Sequence, residues 1–134
     1  MSYVQQFTVG SCSYNAVMAS AADQDKLMSL LSAALIERAV AMAQQGKTIG
    51  QDVVVPMFMA MPYDRKSQVA TILMGNVKVN GSDTRVDVEH FRNKLVDYNR
   101  LLGELLVWNL GDFFTYLVDV VSAEVRPVPQ TPAL

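Results

Sequence analysis

The sequence predicts a mainly helical α+β domain with two long helices, shorter helices, and one or two small antiparallel strand pairs. An Ala/Leu-rich run after Ser20 and an apolar recurrence from Phe91 to Leu105 supply the two long helices. Extended stretches beside Gly10 and around Asn80-Gly81 supply the strand pairs. The 134 residues are 51% hydrophobic and 18% charged, which suits one ordered domain with one core and excludes disorder of its body. That domain is expected over residues 1–122, with a Pro-rich C-terminal tail over 123–134.

Tyr3 to Val9 and Tyr14 to Met18 read as extended pieces separated by Gly10-Ser-Cys-Ser13, a plausible hairpin. The first long helix follows, with Ser20 as cap, Asp23 and Asp25 where the helix dipole favours negative charge, and Gly46 as its stop. Leu27, Leu30, Leu31, Ala34, Leu35, Arg38 and Met42 fall on one side, and Met28, Ile36, Ala39 and Val40 widen the stripe beyond what a surface helix needs. Such a helix is mostly buried or docks on two things.

Lys47 to Pro62 is ambiguous: Val53, Val54 and Val55 favour a strand, whereas Met57 to Met61 suit a short helix started near Pro56, the preferred reading. Asp64 can cap a helix from Arg65 to Met74 with Val69, Ile72 and Leu73 inside, and Gly75 ends it. Val77 to Val86 alternates about Asn80-Gly81 as a hairpin does, although its intervening residues could hold a longer loop. Asp87 caps the second long helix, Val88 to about Trp108, with Phe91, Leu95, Tyr98, Leu102 and Leu105 as one seam. Asp97 with Arg100, and Arg100 with Glu104, are spaced to pair on its wet side. Asn109-Leu-Gly-Asp112 bends the chain into a last helix, Asp112 to Ser122, carrying Phe113, Tyr116, Leu117, Val120 and Val121. Three of the five prolines fall in the last eight residues, the composition of an extended, unpacked tail.

A net charge of -2 gives no basic field for a nucleic-acid backbone or an anionic membrane. One cysteine and an N-terminus without a secretory pattern point to a reducing cytoplasm. The apolar stretches around Val53 to Met61 and Leu101 to Leu110 are interrupted well short of the ~20 residues that a membrane span needs, so no span is expected.

No catalytic, cofactor or metal residues are predicted. His90, the only histidine, stands beside Asp87 and Glu89, but a polar first turn is ordinary and no serine or cysteine sits in a nucleophile motif. A hydrolase would need His90 hydrogen-bonded to a nucleophile in a pocket. One histidine and one cysteine do not make a metal set, and Gly46-Lys47-Thr48 lies at the end of a helix, where a phosphate loop should open one. Met57, Phe58, Met59 and Met61 form a deformable apolar stretch that fills a core or repacks around a partner. Trp108, Phe113 and Phe114 at the bend are core floor or docking knob. The seam could also face a second copy of the chain, though such stripes mostly face their own core.

Val86-Asp-Val-Glu-His-Phe-Arg-Asn-Lys-Leu, Tyr98-Asn-Arg-Leu-Leu-Gly-Glu-Leu-Leu-Val-Trp-Asn109 and Asp112-Phe-Phe resemble the tail assembly chaperones of long-tailed, lambda-like bacteriophages. The layout of short extended segment, Ala/Leu-rich helix, polar middle, helical second half and loose tail is similar across most of the chain. The resemblance implies a non-enzymatic factor of the host cytoplasm, absent from the finished virion, that self-associates, coats the tape-measure protein and gathers major tail-tube subunits. It further implies that this chain is the short form of a pair, the longer one made by ribosomal frameshifting near the gene's end. The candidate protein-binding residues are Leu27, Leu31, Leu35, Met42, Met57, Phe58, Met59, Met61, Phe113 and Phe114. The rival reading is a virion structural protein, such as a tail-completion or head-to-tail connector protein.

Overall fold

In the computed structural model, which describes residues 3–46 and 51–125, β1 (Val4–Val9) and β2 (Cys12–Val17) form the expected hairpin. Their antiparallel register pairs Val9 with Cys12 and Val4 with Val17, leaving Gly10 and Ser11 as a two-residue turn. Gly10 takes φ 62°, and a Cβ there would lie 2.7 Å from Asp97 Oδ2, so both backbone and neighbour favour glycine. Phe7 and Val9 of β1 and Tyr14 and Ala16 of β2 turn to the core, as a period of two requires. A third strand, β3 (Val77–Val79), adds antiparallel to β2, giving the order β1-β2-β3. The local hairpin expected across Asn80-Gly81 shrinks to a Lys78–Arg85 bridge and the hydrogen bond from Val86 N to Val77 O, 2.9 Å. The main pairing of Val77 to Val79 is with β2, far away in sequence.

The helices bear out the mainly helical α+β expectation. α1 (Ala21–Gln44) starts on Ser20, whose Oγ accepts from Asp23 N at 3.2 Å, and Gly46 just beyond its end has φ 74°. α2 (Gln51–Ala60) starts before Pro56 and contains it, correcting the helix expected to begin there. Val53, Val54, Met57 and Phe58 bury one face of α2, which packs on the helix Leu95–Asn109. At ~1.5–3 kcal/mol for each fully buried apolar side chain, that face outweighs both the ~3 kcal/mol cost of an interior proline and the strand preference of valine.

α3 (Tyr63–Leu73) begins earlier than expected, with Pro62 at the cap position making no side-chain cap bond and Asp64 inside the first turn. The second long helix is broken. Asp87 does cap, its Oδ1 accepting from Glu89 N at 3.0 Å, but it caps only a 3-10 turn, Val88–Phe91. Asn93 then takes φ 62°, a left-handed conformation that asparagine tolerates better than most residues, and α4 (Leu95–Asn109) starts afresh. Phe91, Tyr98, Leu102 and Leu105 still face the chain's own core, while Leu95 is swung out and 56% exposed. Of the two predicted ion pairs on this helix, Arg100 meets Asp97 at 3.6 Å.

α4 is central, touching β1, α2, α3 and the last helix, α5 (Gly111–Val125). Leu101, Leu102, Leu105 and Leu106 are wholly buried, and Phe7 meets Trp108 edge-on at 5.4 Å. α5 runs against α1 after a turn of 78° from α4. Phe114 and Leu117 form its buried face, whereas Phe113 is half-buried and Tyr116 and Val120 are exposed. The side chain of Val121 and the tail residues 126–134 lie outside the described residues. Residues 123–125 belong to α5, which runs past the Ser122 expected as its end.

Buried Asn109 fixes this bend. Its Oδ1 accepts from Ala19 N at 2.8 Å, its Nδ2 donates to Leu105 O at 2.9 Å, and its carbonyl accepts from Gln24 Nε2 at 3.0 Å. The end of α4 is thereby tied to the β2–α1 connection. Asn109→Ala is expected to destabilise the fold by ~1–3 kcal/mol, because Ala19 N–H loses its acceptor. Urea unfolding checks this: the midpoint should fall with the slope unchanged.

Candidate functional site

The ten residues expected to bind a partner do not share one surface. Leu27, Leu31, Leu35, Met57, Phe58 and Phe114 are buried in the chain's own core, which corrects their placement on a docking face. The physical reason is periodicity: the i, i+4 stripe of α1 and the i, i+1, i+4, i+5 face of α2 are the sides that pack inward. Met42, Met61 and Phe113 are half-buried, and Met59 is 49% exposed. Phe113 lines a shallow depression with Met28, Gln24, Leu110 and Tyr116, but the methionines of α2 do not reach it.

α1 is covered on one side only: Leu30, Ala34, Val40 and Ala43 lie half-buried against the core, and Ile36 is 44% exposed. Among its described residues only Leu27, Leu31, Leu35 and Ala39 are fully buried. By length and composition alone this helix could cross a membrane, which corrects the expectation that no segment is long and apolar enough. Glu37 and Arg38 interrupt the apolar run as read along the sequence, yet the alanines and leucines around them keep its average high.

A more apolar concavity lies elsewhere. A cleft of about 520 Å³ opens between α3, the segment 85–88 and the start of α4. Ala70, Met74, Val86 and Tyr98 give it an apolar floor, and Tyr63, Val88 and Leu95 stand exposed at its rim. Lys66 of α3 enters this apolar space. Its Nζ donates to Asn99 Oδ1 at 2.5 Å and lies 5.8 Å from the centre of the Tyr98 ring. Asn99 is 5% exposed, and its Nδ2 donates to Leu95 O at 2.7 Å, which fixes the amide with its oxygen toward Lys66. The ion pairs among the described residues are Arg92–Glu89 and Arg100–Asp97, so Lys66 has an amide rather than a carboxylate as its partner.

Burial lowers the Lys66 pKa from its ordinary value, because the ammonium is less well solvated there than in water. The neighbouring Tyr98 phenol is pushed up, first by its own burial and then by Tyr63 and Asp87. Behind the cleft Tyr98, Phe91 and Tyr14 continue as neighbouring rings at 5.3 and 5.7 Å, ending on His90. His90 Nε2 lies 3.0 Å from Tyr14 Oη, and neither serine nor cysteine is its partner. Burial is the first cause raising the Tyr14 pKa, with Cys12 and Asp97 adding to it, so the phenol stays protonated and is no nucleophile near neutral pH. Among the described residues no three His, Cys, Asp or Glu side chains gather as metal ligands do.

Comparison with protein-family models, with curated proteins and with solved structures gives no match for this chain.

Sequence reasoning did not single out Lys66, Asn99 or Tyr63. Arg65-Lys66 reads as the wet side of a helix, and the Lys66–Asn99 bond joins residues 33 apart through packing of α3 on α4. The exposed Leu95 in an otherwise apolar seam is a trace of the cleft that periodicity alone hides.

For Lys66 the folded pKa lies below the unfolded one. Its burial therefore costs stability in full below the folded value, and that cost disappears as pH rises through the folded value toward the ordinary 10.5. The Lys66 Cε resonance should titrate below 10.5. The wild type should also gain stability relative to Lys66→Met as pH rises through that window. A midpoint at or above the ordinary value contradicts the burial assigned to this amine.

Proposed function

We propose that the chain is a non-catalytic assembly chaperone of long-tailed phage type, which binds apolar helical segments of a tape-measure protein reversibly and helps gather tail-tube subunits. The observation that carries the reading is the apolar surface left open on the folded chain: the cleft beside α3 and α4 with its exposed rim, and exposed Ile36 with half-buried Met28, Leu30, Val40 and Met42 on α1. Long apolar helices exposed during synthesis aggregate, and covering their stripes removes the area that drives it. The resemblance of Val86 to Asn109 and of Asp112-Phe-Phe to such chaperones supports the same reading. Self-association through α1 fits a factor that coats a long partner, and the host cytoplasm is where such assembly occurs.

A membrane-seated α1 is the second reading, favoured by the length and composition of that helix. Its Leu27, Leu31, Leu35 and Ala39 face is instead buried in the core, and its packing on α5 and α3 gives it a place in the fold without lipid.

Co-expression with a tape-measure fragment should move that fragment from the pellet to the supernatant, and light scattering should report more than one copy per particle for the chain alone. No gain in fragment solubility contradicts the proposal. Recovery of the chain at fixed stoichiometry in purified virions would favour the connector reading, and co-sedimentation with lipid vesicles the membrane reading.

A further inference from the structure

An ammonium at an apolar cleft whose protein hydrogen bond goes to a neutral amide keeps N–H donors to offer an anion. Asp87 also lines the cleft, where its Oδ1 accepts from Glu89 N at 3.0 Å, and among the described residues it makes no ion pair with Lys66. Lys66 and Arg85 against Asp87 leave one net positive charge among the lining side chains. Ala70, Met74 and Val86 line the cleft beside the hydroxyl residues Ser67 and Thr71, and apolar surface continues past the mouth onto Tyr63, 81% exposed, and Leu95. A small ligand fills a cleft but leaves such a rim bare, whereas a polypeptide laid across the mouth covers both.

From these observations we infer that the cleft receives a Glu or Asp side chain set among apolar residues on a partner polypeptide, with its carboxylate on Lys66 Nζ and its apolar flanks on Tyr63, Leu95 and Tyr98. Asn99 is the positioning residue, because its amide, held by Leu95 O, directs the ammonium. Charge-assisted hydrogen bonds in partly desolvated sites are stronger than neutral ones, so the acidic residue confers selection among apolar segments that would otherwise bind alike. This inference rests on the chaperone reading for the identity of the partner, and it names the contact by which that partner is chosen.

The test uses the full chain and two blocked helical peptides of about 14 residues, each with a Leu/Phe stripe, one carrying a single Glu within it and the other Gln. Calorimetry should give roughly tenfold tighter binding for the Glu peptide, the effect of one charge-assisted hydrogen bond. Amide resonances over 63–74 and 86–99 should report the contact. Lys66→Met should bring the two affinities together, and Lys66→Arg should restore the preference. An unchanged amide spectrum verifies that the variants are folded, and Lys66→Gln serves in place of any that is not. Equal affinities in the wild type, a preference that survives Lys66→Met, shifts confined to other surfaces, or octanoate binding as tightly as the Glu peptide each overturn the inference. The tape-measure fragment separates this from the broader reading. If wild type and Lys66→Met solubilise the fragment equally, the cleft assignment fails and the chaperone reading stands. If neither does while the Glu preference holds, the cleft assignment stands and the chaperone reading fails.

Discussion

Asn109 is the constraint on which the arrangement of helices depends. A helix that turns by 78° after one residue exposes carbonyls and amides at the corner, and those groups need partners if the corner is buried. Backbone bonds from Leu110 N to Leu106 O and from Phe114 N to Leu110 O supply part of them, the Asn109 side chain accepts from Ala19 N and donates to Leu105 O, and the Asn109 carbonyl takes the Gln24 amide. The residues it joins are 90 and 85 positions away, so the end of α4 and the start of α1 are positioned together. α5 is then aimed along α1, and the narrow Leu27, Leu31, Leu35, Ala39 stripe has a surface to meet. A leucine in place of Asn109 would suit the apolar surroundings and keep the Gln24 bond to the backbone carbonyl, but Ala19 N would lose its acceptor and Leu105 O its side-chain donor.

A second local constraint makes the cleft. The left-handed Asn93 separates the 3-10 turn at Val88–Phe91 from α4, letting Phe91 plug the core while Leu95 emerges at the surface. A continuous helix through this region would carry Leu95 on the same face as Phe91 and Tyr98, and the rim of the cleft would lose an apolar member. Lys66 enters from α3, and the buried amide of Asn99 holds it over Tyr98. The same packing of α3 against α4 that closes the core therefore sets the charge at the mouth.

Much of the secondary structure was legible in the residues. Ser20, Gly10, Gly46 and Asp87 act at the boundaries where their chemistry placed them, and the alternation in Val4–Val9 and Cys12–Val17 gives the first hairpin. Pairing between distant segments was not legible. Val77 to Val79 has the pattern of a strand, but its choice of β2 rather than its sequence neighbour is decided by tertiary packing. Pro56 inside α2 shows the same override, because burial of Met57 and Phe58 outweighs a local penalty that points to a helix start. The candidate binding residues were less legible still: Leu, Met and Phe at helical spacing signal burial equally whether the cover is the chain itself or another molecule. Lys66 and Asn99 gain their meaning only when α3 and α4 are brought together.

What joins these features is a division of apolar surface, one part sealed by Asn109 and the central α4, the other left open beside Lys66 and along α1. Hydrogen exchange of the full chain, alone and saturated with a soluble tape-measure fragment, tests that division most directly. Binding through the open surface predicts slowed exchange over Tyr63–Leu73, Leu95–Asn109 and the outer turns of α1, with the β1–β2 hairpin unchanged. Unaltered exchange in those helices on saturation, or protection confined to the hairpin, would contradict it.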